Sequence, residues 1–156
     1  MPIALTHTGT SVTLTHFKAT ATLPRTKNSS ARLSMAYSYQ GNAYPTGPRR
    51  TPERWQFTAL VDQTQWNMLR LIEDKSEQAA RTAPYTGFEI ELIDTTQLVT
   101  EAVRSRAASG SVVANADGSV TYAPVWQALF ESLELEMEGR RLWAIATLVE
   151  GSRTSP

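Results

Sequence analysis

Leu133-Glu134-Leu135-Glu136-Met137-Glu138, then Gly139-Arg140, then alternation resumed through Trp143, Ile145 and Val149, is the stretch from which the fold of this chain is read. Successive side chains of a strand point to opposite faces, so apolar residues at every second position mark a sheet that is dry on one side and wet on the other. A glycine between two such runs predicts a β-hairpin. The wet side of its first strand carries Glu134, Glu136 and Glu138 with no catalytic partner beside them in sequence. Carboxylates two apart on a strand share one space and repel unless solvated, which suggests a wall more than an active site.

The same reading extends toward the N-terminus. Val112-Val113 and Val120-Thr121-Tyr122 flank Asn115-Ala116-Asp117-Gly118, whose turn chemistry predicts a second hairpin. Phe88, Ile90 and Leu92 alternate with Glu89 and Glu91 as a strand, and Leu98 to Val103 forms another. Trp55, Phe57, Ala59 and Val61 make a strand that runs into a helix at Asp62, where Gln65 stands at capping-box spacing. Trp66, Met68, Leu69, Leu71 and Ile72 give that helix an apolar face, and Glu73-Asp74-Lys75-Ser76-Glu77 turns it polar. Roughly four turns laid across a sheet are expected, with Pro84 barring continuation.

Ser11 to Phe17 places Val12, Leu14 and His16 on one side, and Leu33 to Tyr39 alternates again after a break at Lys27 to Ser30. Gly41 to Pro52 holds three prolines and two glycines, so it is expected to be an exposed excursion and not a strand. The chain therefore reads as mainly β with one flanking α-helix. A single domain is expected over 1–150, with the excursion near 40–54 and a flexible tail at 151–156. Trp66 and Trp143 are assigned to the core, and Trp126 to core or interface.

Composition narrows the function classes. At 156 residues and 41% hydrophobic content the chain supports one core. Fifteen basic residues balance fifteen acidic ones, which argues against a protein whose main task is to hold duplex DNA. The absence of cysteine excludes disulfides, thiolate nucleophiles and thiolate zinc sites. His7 and His16 have no carboxylate at ligand spacing, and no nucleophile elbow, phosphate loop or dinucleotide fingerprint occurs. No catalytic, cofactor-binding or metal-binding residue is assigned, and a non-enzymatic role is expected. Met1 to Leu5 lacks the basic start of a secretory signal, and no run approaches the ~18 apolar residues of a membrane span, so production in the cytoplasm without membrane association is expected.

The remaining candidates are charged. Glu89, Glu91, Glu134, Glu136 and Glu138 form either a solvated sheet face or the lining of a channel through which a polyanion slides without sticking. Arg49, Arg50 and Arg54 cluster around prolines, and Arg104 and Arg106 bracket a serine. Without interleaved aromatics they lack a base-stacking platform, so they are solvated or, with Tyr44 and Trp126, lie in subunit contacts.

Trp55 to Val61 running directly into Asp62 to Leu69, then Tyr85 to Ile90, then the closing strands Leu133 to Glu138 and Leu142 to Glu150, resembles the tail-tube fold of tailed bacteriophages and related contractile machines. Tube subunits, distal tail proteins and baseplate hub components share it. The resemblance implies a β-sandwich or barrel with a flanking helix, joined edge to edge into a homo-oligomeric ring, commonly of six copies, whose acidic lumen lets DNA pass as cargo. It implies that the glutamates look into the channel and that the excursion from Gly41 to Arg54 reaches a neighbouring subunit or tail protein. The location implied is the virion tail, assembled in a bacterial cytoplasm. The alternative from the residues alone is a monomeric β-barrel that binds a small apolar ligand.

Overall fold

The computed structural model describes residues 2–18, 33–37, 40–41, 43–48, 53–94 and 97–151. In chain order its elements are β1 (Ile3–His7), β2 (Thr10–Leu14), β3 (Leu33–Tyr37), β4 (Ala43–Pro48), β5 (Arg54–Val61), α1 (Gln63–Arg81), β6 (Ile90–Ile93), β7 (Val99–Glu101), β8 (Val113–Ala114), β9 (Val120–Tyr122), β10 (Val125–Glu138) and β11 (Arg141–Glu150). The fold is mainly β with one flanking helix.

The hairpin expected from alternation is the longest feature, with β10 and β11 paired from Ala128 opposite Glu150 to Glu138 opposite Arg141. Its turn needs Gly139, whose φ of +62° is open to glycine and strained for other residues. The pair lies in a six-stranded antiparallel sheet of order β2-β1-β6-β10-β11-β5. Register then decides the core: Leu148, Ala146, Ala144 and Leu142 of β11 lie opposite Trp55, Phe57, Ala59 and Val61 of β5. Opposed residues share a face, so this row is dry.

The sheet curls back on itself. After β2, the Leu60 N–H donates to the His16 carbonyl and the Lys18 N–H to the Thr58 carbonyl, both at 2.8 Å, while Phe17 bridges Ala59. The chain leaving the first strand of the sheet thus pairs with the last, and α1 packs against β1, β2 and β5. Leu69 and Ile72 of the helix join Leu5, Leu14, Ile90, Leu92 and Ala128 in one buried cluster. Each large apolar side chain so enclosed is worth about 1.5–3 kcal/mol. Trp55 and Trp126 meet edge to face with ring centroids 5.0 Å apart and fill the interior at one end.

The helix starts as the capping box predicts: Asp62 Oδ1 accepts the Gln65 N–H at 2.7 Å, and Gln65 Oε1 accepts the Asp62 N–H at 3.0 Å. It runs for 19 residues, longer than the expected four turns. Its polar half is built of Glu, Lys, Gln and Ala, which are good helix formers, and it is tethered where Lys75 Nζ donates to Thr10 Oγ1 at 2.6 Å and Ser76 Oγ donates to the Phe88 carbonyl.

Four further readings are corrected. Residues 43–48, expected to be an excursion without strand, form β4 paired with β3 in a separate two-stranded sheet. Pro45 and Pro48 are accommodated because β4 is an edge strand, where a missing N–H costs no ladder bond on the open side. Trp143 is not core: it neighbours Ala144 on β11, so the pleat turns it to the opposite face, where it is half-buried. β2 ends at Leu14, so His16 leaves the phase of Val12 and Leu14 and is exposed. Arg106, read as solvated or in a subunit contact, is 1% exposed and enclosed within the single chain, and of the two readings of Trp126, core or interface, its 1% exposure fits the core.

Candidate functional site

Parity along the sheet places Glu91, Glu134, Glu136 and Glu138 on the face away from the core. Glu91 opposes Gln127, Glu134 opposes Ile145, Glu136 opposes Trp143 and Glu138 opposes Arg141. A bulge between Phe130 and Ser132 adds one residue to β10 and keeps this face continuous across it. The glutamates form two patches and not one, because Glu91 lies beside Gln127, roughly 20 Å along β10 from Glu134 at ~3.4 Å per residue. Glu89 precedes β6 and packs against Gly151, with its Oε1 in the space that a Cβ at Gly151 would take.

Within the hairpin patch the three carboxylates are unequal. Lys18 Nζ lies 3.2 Å from Glu138 Oε2 and 5.4 Å from the Trp143 ring centroid, which neutralises Glu138. Glu134 and Glu136 are exposed and make no ion pair among the described residues. Arg54, another expected contact residue, pairs with Glu131 of the bulge at 2.9 Å, and both are about half exposed. Lys18 and Glu131 were not singled out from sequence. Their roles depend on pairing between segments more than thirty residues apart, which local alternation does not encode.

Arg106 stands at the centre of a second cluster. Its Nε and Nη2 donate to Glu150 Oε1 and Oε2 at 3.0 and 3.3 Å, and Nη1 donates to Glu101 Oε1 at 3.1 Å. Glu101 Oε2 also accepts from the Tyr122 hydroxyl at 2.8 Å and the Ser105 N–H at 2.9 Å. Glu150 Oε2 accepts the Glu53 N–H at 3.1 Å, and the guanidinium lies 4.4 Å from the Trp126 ring centroid. Burial pushes Glu101 up, but hydrogen bonds from Ser105 and Tyr122 and the Arg106 charge outweigh it and hold the carboxyl below its ordinary 4.5. Burial, then the Glu101 carboxylate, raises Tyr122 above its ordinary 10.0. One signal for this cluster was present: Glu150 keeps the phase of Leu148 and Ala146, so a carboxylate falls on the dry face and demands a buried cation. A cleft of about 590 Å³ opens beside it between Leu98, Val103 and Glu101, but the Arg106 guanidinium at its wall is buried and already engaged on three nitrogens.

The other contact candidates are dispersed. Arg104 is half-buried beside the Arg106 cluster, and Tyr44 lies on β4. Arg49 and Arg50 fall outside the described residues, as does the tail at 152–156.

The edge of β10 completes the inventory. β6 covers it only from Val125 to Ala128, so among the described residues no strand pairs with that edge beyond Ala128. A groove of about 320 Å³ follows the first part of the open edge, walled by Glu73, Ser76, Glu77 and Ala80 of α1 and by Leu129 to Leu133 of β10. Burial raises Glu73 above its ordinary 4.5; Arg70 opposes this, while Asp74 and Glu77 add to it. Among the described residues no group of His, Cys, Asp and Glu is arranged to hold a metal, and no helix is long and apolar enough to cross a membrane. No protein-family model matches the chain, and no curated protein sequence is significantly similar to it.

Proposed function

We infer that this protein is a non-enzymatic structural component of a phage or phage-like contractile tail. It forms a ring in the tube, distal tail or baseplate through sheet edges and loops. The observation that carries this reading is β10: a strand of 14 residues with no pairing strand along one edge of its far half, and with no ion-pair partner for Glu134 and Glu136 on its outer face, both among the described residues. An open edge is a row of unmet donors and acceptors that a second strand satisfies. An unneutralised carboxylate face repels phosphate, which suits passage of DNA without binding. Six copies is the number the family resemblance implies, and the virion tail is the location. The alternative, a monomeric barrel for a small apolar ligand, has less to bind with, since Trp55, Trp126 and Leu148 occupy the interior. Negative-stain imaging of concentrated protein tests the reading: rings or short stacks are expected, and uniform small particles contradict it.

A further inference from the structure

Of the three carboxylates along the groove between α1 and β10, two are already engaged: Glu77 pairs with Arg81 one turn on, and Glu131 pairs with Arg54 at 2.9 Å. The Ser76 hydroxyl is turned to the Phe88 carbonyl. Glu73 is different. Its Oε2 is buried with no hydrogen-bond partner among the described residues. Arg70, one turn earlier, attracts it only through space, since the guanidinium lies 5.9 Å from the Trp66 ring centroid and makes no ion pair among the described residues.

A carboxylate oxygen shut off from water and from donors is a costly group to bury. Burial accordingly raises Glu73 above its ordinary 4.5, against Arg70 and with Asp74 and Glu77. The rest of the groove is apolar: Phe130 and Leu133 of β10, partly buried against the core, line it together with Leu129 and Ala80. Its volume of about 320 Å³ falls at the lower end of the range for small-ligand sites, about 300–1,000 Å³.

We propose that this groove binds a small primary alkylammonium ion, whose ammonium head donates to Glu73 Oε2 while its alkyl tail lies on Phe130 and Leu133. An ammonium supplies both things that this oxygen lacks, a donor and a positive charge. With one buried oxygen to meet, a point-like ammonium suits the site better than a two-pronged guanidinium. Anions are repelled by the carboxylates along the groove, and a neutral apolar molecule leaves Glu73 unmet. The site is formed by one chain and lies outside the packed interior, so it goes beyond the ring reading and does not rest on it.

Titration of the protein with hexylammonium, followed by amide chemical shifts, tests the site. Saturable shifts are expected at Ser76, Ala80, Phe130 and Leu133. Glu73→Gln keeps the shape and a good helix former, and is expected to weaken binding at least about tenfold, the effect of losing a hydrogen bond to a charged group. Neutral 1-hexanol, of the same length, should bind wild-type protein more weakly by a similar factor. Shortening the tail to propylammonium should weaken binding by up to about fourfold per methylene removed. Glu77→Gln, which removes a carboxylate already paired at the surface, should leave binding within about threefold. Independently of any variant, a carbon-13 titration of the Glu73 carboxyl should show its pKa falling as hexylammonium is added, because a bound cation favours the charged form. Hexylammonium that binds Glu73→Gln as tightly as wild type, hexanol that binds equally well, the lack of shifts at the groove, or a Glu73 pKa that does not move would each overturn the proposal.

Discussion

Glu150 and Glu136 lie on adjacent strands of one hairpin and have opposite fates. Glu150 is on the dry face, 4% exposed, and its two oxygens accept from Arg106 and from the Glu53 amide. Glu136 is on the wet face with no ion-pair partner among the described residues. The pleat alone separates them, and it divides the molecule into an end where charge is consumed in holding the fold and an end where charge and backbone edge are left for something outside.

The largest effect is expected at the consumed end. Arg106→Met leaves Glu101 and Glu150 buried without their cation, and a loss of about 3–5 kcal/mol in urea unfolding is expected. A loss below 1 kcal/mol would mean the cluster is better solvated than its burial indicates. Glu101→Gln removes the charge that faces Arg106 and one of the two oxygens that accept from Arg106, Tyr122 and Ser105, and is expected to cost about 1–3 kcal/mol near neutrality. It also changes the pH profile. The folded pKa of Glu101 is depressed, so its contribution is present above the ordinary 4.5 and is lost as pH falls through the lower folded value. Tyr122 is raised, so its contribution is present below 10.0 and is lost as pH rises through the higher folded value. Wild-type stability should therefore fall more steeply in acid than that of the glutamine variant; identical acid limbs would remove Glu101 from the account.

Asp62 is an intermediate case, an exposed carboxylate whose oxygen is used locally. Asp62→Ala is expected to cost about 1 kcal/mol through loss of the N-cap, seen as a lower midpoint of thermal unfolding. The smallest effect on folding is expected where charge is idle: Glu134→Gln with Glu136→Gln should change stability by no more than about 0.5 kcal/mol. The same double variant should retain DNA fragments that wild-type protein lets pass in a gel-shift at low salt, since the repelling face is gone. A large loss of stability would show instead that these glutamates serve the fold.

Much of the fold is legible in the sequence because its strands alternate strictly. Trp55 to Val61, Ile90 to Leu92 and Leu133 to Glu138 each announce a buried face at period two, and Asp62 with Gln65 announces the helix start. What stays hidden depends on pairing between distant segments. Trp143 looks like core until its register with Ala144 and Leu60 turns it outward, and β4 looks like a loop because its prolines suit an edge and not a central strand. Arg106 looks like a solvated or contact residue, and Trp126 stays open between core and interface, for the same reason. Only the fold brings Glu101, Tyr122 and Glu150 around them, although Glu150 in the phase of Leu148 marks where a buried cation must be.

Hydrogen exchange along Glu131 to Glu138, followed by mass spectrometry as protein concentration is raised, reads the open edge directly. Alternate amides of an antiparallel strand point to each neighbour, so about half of these amides face the uncovered side of β10. They are expected to exchange rapidly in dilute solution and to become protected as copies assemble, while the amides facing β11 stay protected throughout. Exchange at the open edge that is unchanged at every concentration would contradict the claim that sister copies complete this strand.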